Sequence, residues 1–433
     1  MLTEHLLQHL SPWRAAPSWV VALSGGLDSC VLLHALSTLA RQHPLPPLRA
    51  IHIHHGLQAA ADSWPDHCHR LCQALEVPLT VQRVQVRPGA SLEQAARDAR
   101  YAALEAALGI DEVLLTGQHQ DDQAETLLLR LMRGAGVRGA SAMAWQRSLG
   151  AGTLCRPLLT ISRQALLAYA QDHALGWVED PSNADTRHGR NYMRHQVMPA
   201  LHARWPTAAA NLARSAGHFA EALGLLEELA AVDLAAASTP GAFPWLPLPS
   251  LALAPVQAMS EARQRNALRA WLAPLTRLPD TDHWAGWVAF RDAAQDATPI
   301  WALTDGSLCR GAGRAWWLAG PWLHVPPSPS TWEDLSQPLH LPANGMLRWH
   351  GDRPAGSVQV RYRQGGEQLL LPGRGSRDLK RLLNEAGVPG FLRGRLPLLF
   401  VGQQLIAVAN VPGLNATCGQ LHWQPPTNDR CLR

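Results

Sequence analysis

Three apolar runs, each followed by a polar turn and a helical pattern, constrain the fold of this chain most strongly. The predicted strands are residues 18–23, 48–57 and 111–120, and the predicted helices are 28–39, 91–108 and 121–132. Strands that alternate with helices are typical of an α/β protein with a Rossmann-like parallel sheet covered on both faces. Ligands bind such sheets at the carboxyl ends of the strands. We therefore expect a site where three polar segments converge, namely 24–29, 54–58 and 117–122.

The stretch VVALSGGLDSC places two glycines between the first predicted strand and its helix. Gly25 and Gly26 allow backbone N–H groups to approach an anion closely, and Ser24 and Ser29 add hydroxyl donors. The lysine of the usual P-loop, G-x-x-x-x-G-K-S/T, is absent from this stretch. A carboxylate at Asp28 is repelled by phosphates unless a cation such as Mg²⁺ lies between them. The stretch therefore predicts a loop that cradles a departing pyrophosphate while a bond breaks at the α-phosphorus.

Positive charge is concentrated in two segments far apart in the sequence. The net charge is only +4, but residues 130–215 contain eleven Arg and four acidic residues, and residues 361–397 contain eight basic and three acidic residues. Lys380 is the single lysine of the chain. Two such regions favour an extended anionic partner such as a nucleic acid, and two solvated surfaces are the alternative.

Composition divides the 433 residues into four segments. We expect a catalytic domain at 1–215, an Ala/Leu-rich helical domain at 216–325, a Pro/Ser-rich linker at 326–345 and a small α+β domain at 346–433. The first residues do not resemble a signal peptide, and no apolar run is long enough to span a membrane. Seven cysteines without paired spacing suit a reducing compartment, so we expect a cytoplasmic protein without a membrane partner. The sequence leaves the oligomeric state open.

Motifs along nearly the whole chain are similar to those of a known family. SGGLDS resembles the pyrophosphatase-loop signature of the ATP-α-hydrolase enzymes. HIHHGL, EQAARDARY, TGQHQDDQAET and WVEDPSNADTRHGRNYMRHQVMPAL resemble motifs of the bacterial tRNA(Ile)-lysidine synthases, in the same order. DLKRLLNEAGVPGFLRGRLPLL is similar to their C-terminal domain. The chain departs from the family pattern at Gln58, Gln118 and Arg381, and GASAM lacks a glycine expected before Met143.

The resemblance implies a reaction and a set of site residues. ATP adenylates O2 of the wobble cytidine in the CAU anticodon of an isoleucine tRNA, and the ε-amine of free L-lysine attacks C2 and expels AMP. The resulting lysidine changes codon recognition from AUG to AUA, and tRNA identity from Met to Ile. The implied residues are, for catalysis, Asp28, Asp122 and Glu125; for ATP, Ser24, Gly25, Gly26, Leu27, Asp28, Ser29 and His52; for Mg²⁺, Asp28; and for tRNA, Arg133, Arg190, Asn191, Arg194, Lys380, Arg381, Arg393 and Arg395. The domains at 216–325 and 346–433 are expected to bind tRNA.

Two carboxylates in the motif TGQHQDDQAET suit this chemistry. Asp122 and Glu125 are three residues apart, so a helix places both on one face. A lysine amine has a pKa near 10.4, so about one in 2,500 is nucleophilic at neutral pH. A carboxylate can hold the ammonium and accept its proton, although the sequence does not identify which one is the base. Acids that complement the helix dipole are the structural alternative.

Other residues admit different interpretations. His52, His54 and His55 are expected to line the nucleotide pocket, and the His67, Cys68, His69 and Cys72 group lacks the second ligand pair of a zinc site. On the predicted helix that contains Glu93, we expect either Arg97 or Arg100 to pair with this acid and the other to face the nucleotide. The rival functions are a sulfur-transferring enzyme, an amidotransferase, and a non-catalytic nucleotide-sensing or RNA-binding protein. The absence of C-x-x-C disfavours the first, and the acids at 28, 122 and 125 disfavour the last.

Overall fold

The computed structural model of this chain describes residues 2–56, 59–86, 92–280, 282–294, 297–327, 331–371, 373, 375–415 and 419–427. Gln58, which departs from the family pattern, and the side chain of Glu93, which was expected to pair with an arginine, lie outside this description. The chain divides into two compact units, residues 1–224 and 225–433. None of the helices within the described residues is long and apolar enough to cross a lipid bilayer.

The first unit contains the predicted α/β sheet. Its strands are β1 (Trp19–Ala22), β2 (Leu48–His54), β3 (Leu79–Arg83), β4 (Val113–Leu115), β5 (Gln146–Leu149) and β6 (Gly152–Cys155). They lie in the order β3-β2-β1-β4-β6-β5, and only the pairing of β5 with β6 is antiparallel among those described. The helices are α1 (Leu2–His9), α2 (Leu27–Gln42), α3 (Trp64–Leu75), α4 (Leu92–Ala106), α5 (Gln120–Leu131), α6 (Val137–Ala140), α7 (Arg163–Asp172), α8 (Gly189–Tyr192) and α9 (Met198–Arg204).

Alternate strand residues bury the two faces of this sheet in different cores. Val21 and Leu115 pack with Leu32 of α2 on one face. Val20 and Leu114 pack on the other face, in the core that also contains Leu104 of α4. The prediction of a parallel sheet covered on both faces is therefore confirmed. The third strand is shorter than expected, because the polar residues after Leu115 leave the sheet and turn towards α2.

Helix α10 (Ala208–Ala237) runs across the division between the units. In the second unit the helices expected at 216–325 are present, and a four-stranded antiparallel sheet in the order β7-β10-β9-β8 accompanies them. These strands were not predicted from the sequence, because they are only three to six residues long and lie inside an Ala/Leu-rich segment. The elements are β7 (Ser250–Ala252), α11 (Leu253–Gln257), α12 (Glu261–Leu272), α13 (Trp284–Asp292), β8 (Ile300–Leu303), β9 (Gly306–Gly311) and β10 (Arg314–Leu318).

The C-terminal part of the second unit forms two further sheets. Its elements are β11 (Leu339–Leu341), β12 (Gly345–Gly351), β13 (Val358–Arg361), β14 (Gln368–Leu371), β15 (Gly375–Asp378), α14 (Leu379–Glu385), α15 (Gly390–Arg393), β16 (Leu398–Val401), β17 (Gln404–Val408) and β18 (Gly419–Gln424). The strand orders are β11-β12-β18 and β13-β16-β17-β14-β15. The expectation of a linker at 326–345 needs correction, because β11, Trp332 and Leu335 belong to the folded core. The domain boundaries stay a prediction.

Candidate active site

The SGGLDS loop lies between β1 and α2 and is held by its own hydroxyls. The Ser24 and Ser29 hydroxyls are 3.0 Å apart, and Ser29 donates to the Gly26 carbonyl over 3.0 Å. Gly25 has a φ of +87°, a conformation that favours glycine. Gly26 precedes the first residue of α2, and no side chain caps this helix end. The first N–H groups of α2 are therefore available to an anion.

Gly117 brings the polar segment after β4 against this loop. A Cβ atom on Gly117 would lie 3.0 Å from the carbonyl carbon of Asp28 and 3.1 Å from the Ser29 nitrogen. Only a residue without a side chain allows this approach without a shift of the first turn of α2. The next residue, Gln118, accepts a hydrogen bond from the Thr116 hydroxyl over 2.5 Å. This departure from the family pattern is thus accommodated inside the segment itself.

His119 connects the two acidic segments of the site. It is only 1% exposed, and its Nε2 lies 3.6 Å from Asp28 Oδ2 and 3.5 Å from Asp122 Oδ2. Its backbone N–H donates to Asp122 Oδ2 over 3.1 Å. His119 was not among the site residues predicted from the sequence. Its position directly before the first acids of a helix, at the end of a predicted strand, was the signal that could have found it.

Asp28 and Asp122 have different environments. Burial raises the pKa of the Asp28 carboxyl, and repulsion by Asp122 adds to the rise, although His119 opposes it. Asp28 Oδ1 is buried and accepts no hydrogen bond from any residue that the structure describes. Burial acts in the same direction on Asp122, but the charges of His119, Arg190 and Arg194 lower the pKa of this carboxyl below its ordinary value. Asp122 is therefore held as an anion, whereas Asp28 has an oxygen without a partner.

Asp122 and Glu125 share one face of α5, as predicted, and both contact the same two arginines. Asp122 Oδ1 accepts from Arg190 Nη2 at 2.8 Å and from Arg194 Nη2 at 2.9 Å. Glu125 Oε2 accepts from Arg190 Nε at 3.2 Å, and Glu125 Oε1 accepts from Arg194 Nε at 2.7 Å. Arg190 ends up in α8 and Arg194 in the π-helical turn Met193–Val197. Two residues expected to bind tRNA thus form ion pairs with two residues expected to be catalytic.

The remaining site candidates of the first unit lie around this network. Leu27 begins α2 and is buried. His52 is buried with Nδ1 2.8 Å from the Leu23 carbonyl oxygen, and burial lowers the pKa of its imidazole, so it supports the strand end that leads into the loop. Asn191 donates to the Ser182 and Asp185 carbonyls, both at 2.9 Å, and closes the turn before α8. Arg133 is exposed beyond the end of α5.

The basic site candidates in the C-terminal part of the chain fall into two groups. Lys380 and Arg381 are exposed on α14, where Arg381 Nε lies 3.1 Å from Glu385 Oε1. Arg393 donates to the Val388 carbonyl over 2.8 Å. Arg395, in contrast, is 4% exposed, and its guanidinium lies 4.5 Å from the centre of the Trp322 ring. The expectation that Arg395 contacts tRNA is therefore wrong for this conformation, because its side chain is buried in the core.

Comparisons with known proteins identify the family of this chain. A PP-loop domain matches residues 2–201, a TilS substrate binding domain matches 251–316, and a TilS substrate C-terminal domain matches 358–424. A tRNA(Ile)-lysidine synthase from Pseudomonas fluorescens is 61% identical over 435 residues, which cover 100% of this chain and 98% of that protein. The chain belongs to the tRNA(Ile)-lysidine synthase family. It is an ATP-using enzyme of the PP-loop type.

A second tRNA(Ile)-lysidine synthase, from Pseudomonas aeruginosa, is 60% identical over 434 residues, covering 99% of this chain and 98% of that protein. Among solved structures, the U34-tRNA thiolase NcsA from Methanococcus maripaludis matches with a TM-score of 0.41 and 16% identity, over 51% of this chain and 78% of that chain.

Proposed function

We propose that the carboxyl edge of the first sheet is the active site at which this enzyme forms lysidine on tRNA(Ile). ATP activates the wobble cytidine of the CAU anticodon by adenylation, with release of pyrophosphate, and free L-lysine then displaces AMP. The codon read by the tRNA changes from AUG to AUA, and its identity changes from Met to Ile. One observation carries this assignment: the buried His119 lies within 3.6 Å of Asp28 in the phosphate loop and of Asp122 in the carboxylate pair. Nucleotide and amine chemistry therefore meet at one point.

The loop suits the phosphates of ATP. Backbone N–H groups at Gly25, Gly26 and Leu27 and the hydroxyls of Ser24 and Ser29 are the donors assigned to them. His52 supports the loop from β2 and is also assigned to ATP.

Mg²⁺ fits Asp28. Its Oδ1 is buried without a hydrogen-bond partner in the described part of the chain, and a bound cation would satisfy this oxygen and offset the rise in its pKa. No group of three or more His, Cys, Asp and Glu side chains among the described residues is arranged to hold a metal. One carboxylate with phosphate oxygens and water is nevertheless a usual Mg²⁺ environment. The ion would neutralise charge on the leaving pyrophosphate.

Asp122 and Glu125 are assigned to the lysine ammonium. Both carboxylates already accept hydrogen bonds from Arg190 and Arg194, so lysine must share or replace these donors. RNA phosphates drawn to either guanidinium would release carboxylate oxygens for the ammonium. The amine then gives up a proton to one of these carboxylates, its nitrogen bonds to C2 of the cytosine, and the bond from C2 to the adenylated oxygen breaks as AMP leaves. Such an exchange would prevent lysine from binding productively before the tRNA.

Other residues are assigned to the tRNA itself. Arg133 beyond the end of α5, and Lys380, Arg381 and Arg393 on α14 and α15, are its proposed phosphate contacts. Asn191 shapes the turn that carries Arg190. We also propose that the enzyme works in the cytoplasm, where its tRNA and ATP occur.

Sulfur transfer is the rival reaction, and the cysteines argue against it. Burial raises the pKa of the thiols at Cys30, Cys68 and Cys155, the last two to about 12. Sulfur-relay chemistry requires an accessible thiolate, which burial disfavours.

The direct test is incubation of the enzyme with ATP, labelled lysine and an unmodified isoleucine tRNA with a CAU anticodon. We expect label to enter the tRNA only with ATP, with one AMP and one pyrophosphate released per lysine. A methionine tRNA with the same anticodon is the control and should remain unlabelled. Incorporation without AMP release, or equal labelling of both tRNAs, would contradict the proposed function.

A further inference from the structure

A group of guanidiniums surrounds one tyrosine of α4, away from the carboxylate pair. Arg97, Arg100 and Arg147 place their guanidinium carbons 5.2, 5.6 and 5.2 Å from the centre of the Tyr101 ring. The charge of Arg156 also acts on the Tyr101 hydroxyl. These five residues are called the Tyr101 cluster. They come from α4, from β5 and from the residue that follows β6.

The Tyr101 cluster lies at the same edge of the sheet as the active site. Helices between parallel strands run opposite to them, so α4 begins at the carboxyl edge, with Arg97 in its first half and Arg100 just past its middle. Arg147 pairs with Leu154, one residue before the carboxyl end of β6. Arg100 also experiences the charge of Arg190, which binds the carboxylate pair. The charge of Arg190 therefore acts both on the carboxylate pair and on Arg100 of the cluster.

Nothing among the described residues balances this charge. No ion pair with a carboxylate involves any of the four arginines in the part of the chain that the structure describes. Asp98, on the same helix, accepts instead from Gln94 at 2.7 Å. Arg156 donates to the Ala144 carbonyl, and its Nε is buried without a described partner. Burial and the neighbouring guanidiniums lower the pKa of Arg100, so the folded chain keeps like charges together at a cost in stability.

We propose that the Tyr101 cluster binds the phosphodiester backbone of the tRNA beside the reacting nucleotide. Arg97 and Arg147 are both exposed, and each guanidinium carbon lies 5.2 Å from the centre of the tyrosine ring. Guanidiniums spread over three elements match a line of phosphates better than a single small anion. The expectation that one of Arg97 and Arg100 pairs with Glu93 and the other faces the nucleotide stays a prediction, because the Glu93 side chain lies outside the described residues. This inference rests on the proposed function, because that function supplies the RNA.

The test is the double variant Arg97→Gln/Arg147→Gln, which removes two exposed charges and leaves the buried Arg156 in place. We expect tRNA affinity to fall by about tenfold, and the slope of log Kd against log salt to decrease by about 2, since each phosphate contact contributes about 1. The affinity for ATP should be unchanged. The matched control is Arg14→Gln/Arg41→Gln, two exposed arginines at the opposite edge of the same sheet, and it should bind tRNA like the wild type.

Each other result would overturn the assignment. A weaker ATP affinity with an unchanged tRNA salt slope would place nucleotide phosphates at the cluster. A lower melting temperature with an unchanged slope would make the cluster a structural feature of α4. Equal losses of tRNA affinity in the variant and its control would show that general surface charge, and not the Tyr101 cluster, causes the loss. Lysine incorporation by the wild-type enzyme tests the proposed function separately, so the two can fail independently.

Discussion

At the scale of single residues, two carboxylates lie near the same imidazole but have different environments. His119 lies near both Asp28 and Asp122, yet the pKa of the Asp28 carboxyl is raised and that of Asp122 is lowered. Burial acts on both, and only Asp122 receives hydrogen bonds from two guanidiniums. Environments that push two pKa values apart are a usual sign of different chemical roles. This difference agrees with a phosphate-side role for Asp28 and an ammonium-side role for Asp122.

The variant Asp122→Asn tests the residue-scale assignment. It preserves the size of the side chain and removes the charge assigned to lysine binding, so we expect turnover to fall by about 100-fold or more. The affinity for tRNA should change less than about threefold, because Arg190 and Arg194 gain freedom to meet phosphates. Steady-state kinetics and a tRNA binding assay measure the two effects.

Asp66→Asn is the control for this variant, since Asp66 is exposed in the first turn of α3. It should behave like the wild type. A loss of tRNA affinity as large as the loss of turnover would indicate that Asp122 has a structural role and not a catalytic one.

At the scale of elements, two helix N-termini converge because one glycine permits it. The phosphate loop leads into α2, the segment 116–119 leads into α5, and the two touch at Gly117. The adjoining π-helical turn Met193–Val197 carries Arg194 to the face of α5 that holds Asp122 and Glu125. The close approach of these elements determines the distances among the reacting groups.

Gly117→Ala should disturb this approach. The new methyl group would press on the backbone of Asp28 and Ser29 at about 3.0 Å, so the first turn of α2 must shift. We expect ATP affinity to weaken by about tenfold, while far-ultraviolet circular dichroism stays that of the wild type. Equilibrium ATP binding provides the measurement.

The control is Gly217→Ala in α10, where an added methyl group meets no atom of the described chain within 4 Å. This substitution should leave ATP binding unchanged and raise stability slightly, by about 0.5–1 kcal/mol, because alanine favours a helix. Wild-type ATP affinity in Gly117→Ala would show that the loop does not depend on this contact.

At the scale of the whole molecule, a buried arginine joins distant parts of the second unit. Arg395 Nε donates to Asn344 Oδ1 at 3.2 Å, and its Nη2 donates to the Pro321 carbonyl at 3.1 Å. Asn344 also donates to the Arg395 carbonyl at 2.8 Å, and its own carbonyl accepts from Trp423 Nε1 at 2.6 Å. Burial lowers the pKa of Arg395 to about 10. A cation without a carboxylate partner among the described residues is therefore stabilised by carbonyls and an aromatic ring.

Arg395→Ala should destabilise the second unit by about 2–4 kcal/mol, because it leaves a cavity and buried carbonyls without donors. Urea unfolding measures this loss. Arg381→Ala, which removes an exposed pair with Glu385, should cost only about 0.3–0.5 kcal/mol. A loss of tRNA affinity in Arg395→Ala without a loss of stability would restore its predicted role in RNA binding.

Much of this protein follows from the sequence alone. The alternation of apolar runs and helical patterns determines a parallel sheet, since each buried strand needs cover on both faces. The spacing of Asp122 and Glu125 places both on one face of a helix, because helical geometry is local. The glycines and hydroxyls of SGGLDS likewise specify a phosphate-binding turn within six residues.

Only the tertiary structure decides which charges meet. Arg190 and Glu125 are 65 residues apart and Arg194 and Asp122 are 72 apart, so their pairing depends on how separate segments pack. The same is true of His119 between two acids, of the burial of Arg395 and of the four arginines around Tyr101. Which groups a long side chain contacts depends on burial and on distance. Sequence spacing determines neither quantity for residues more than a few helical turns apart. The sequence therefore identified the chemistry of the site, and the packing of distant segments decided which side chains contact one another in it.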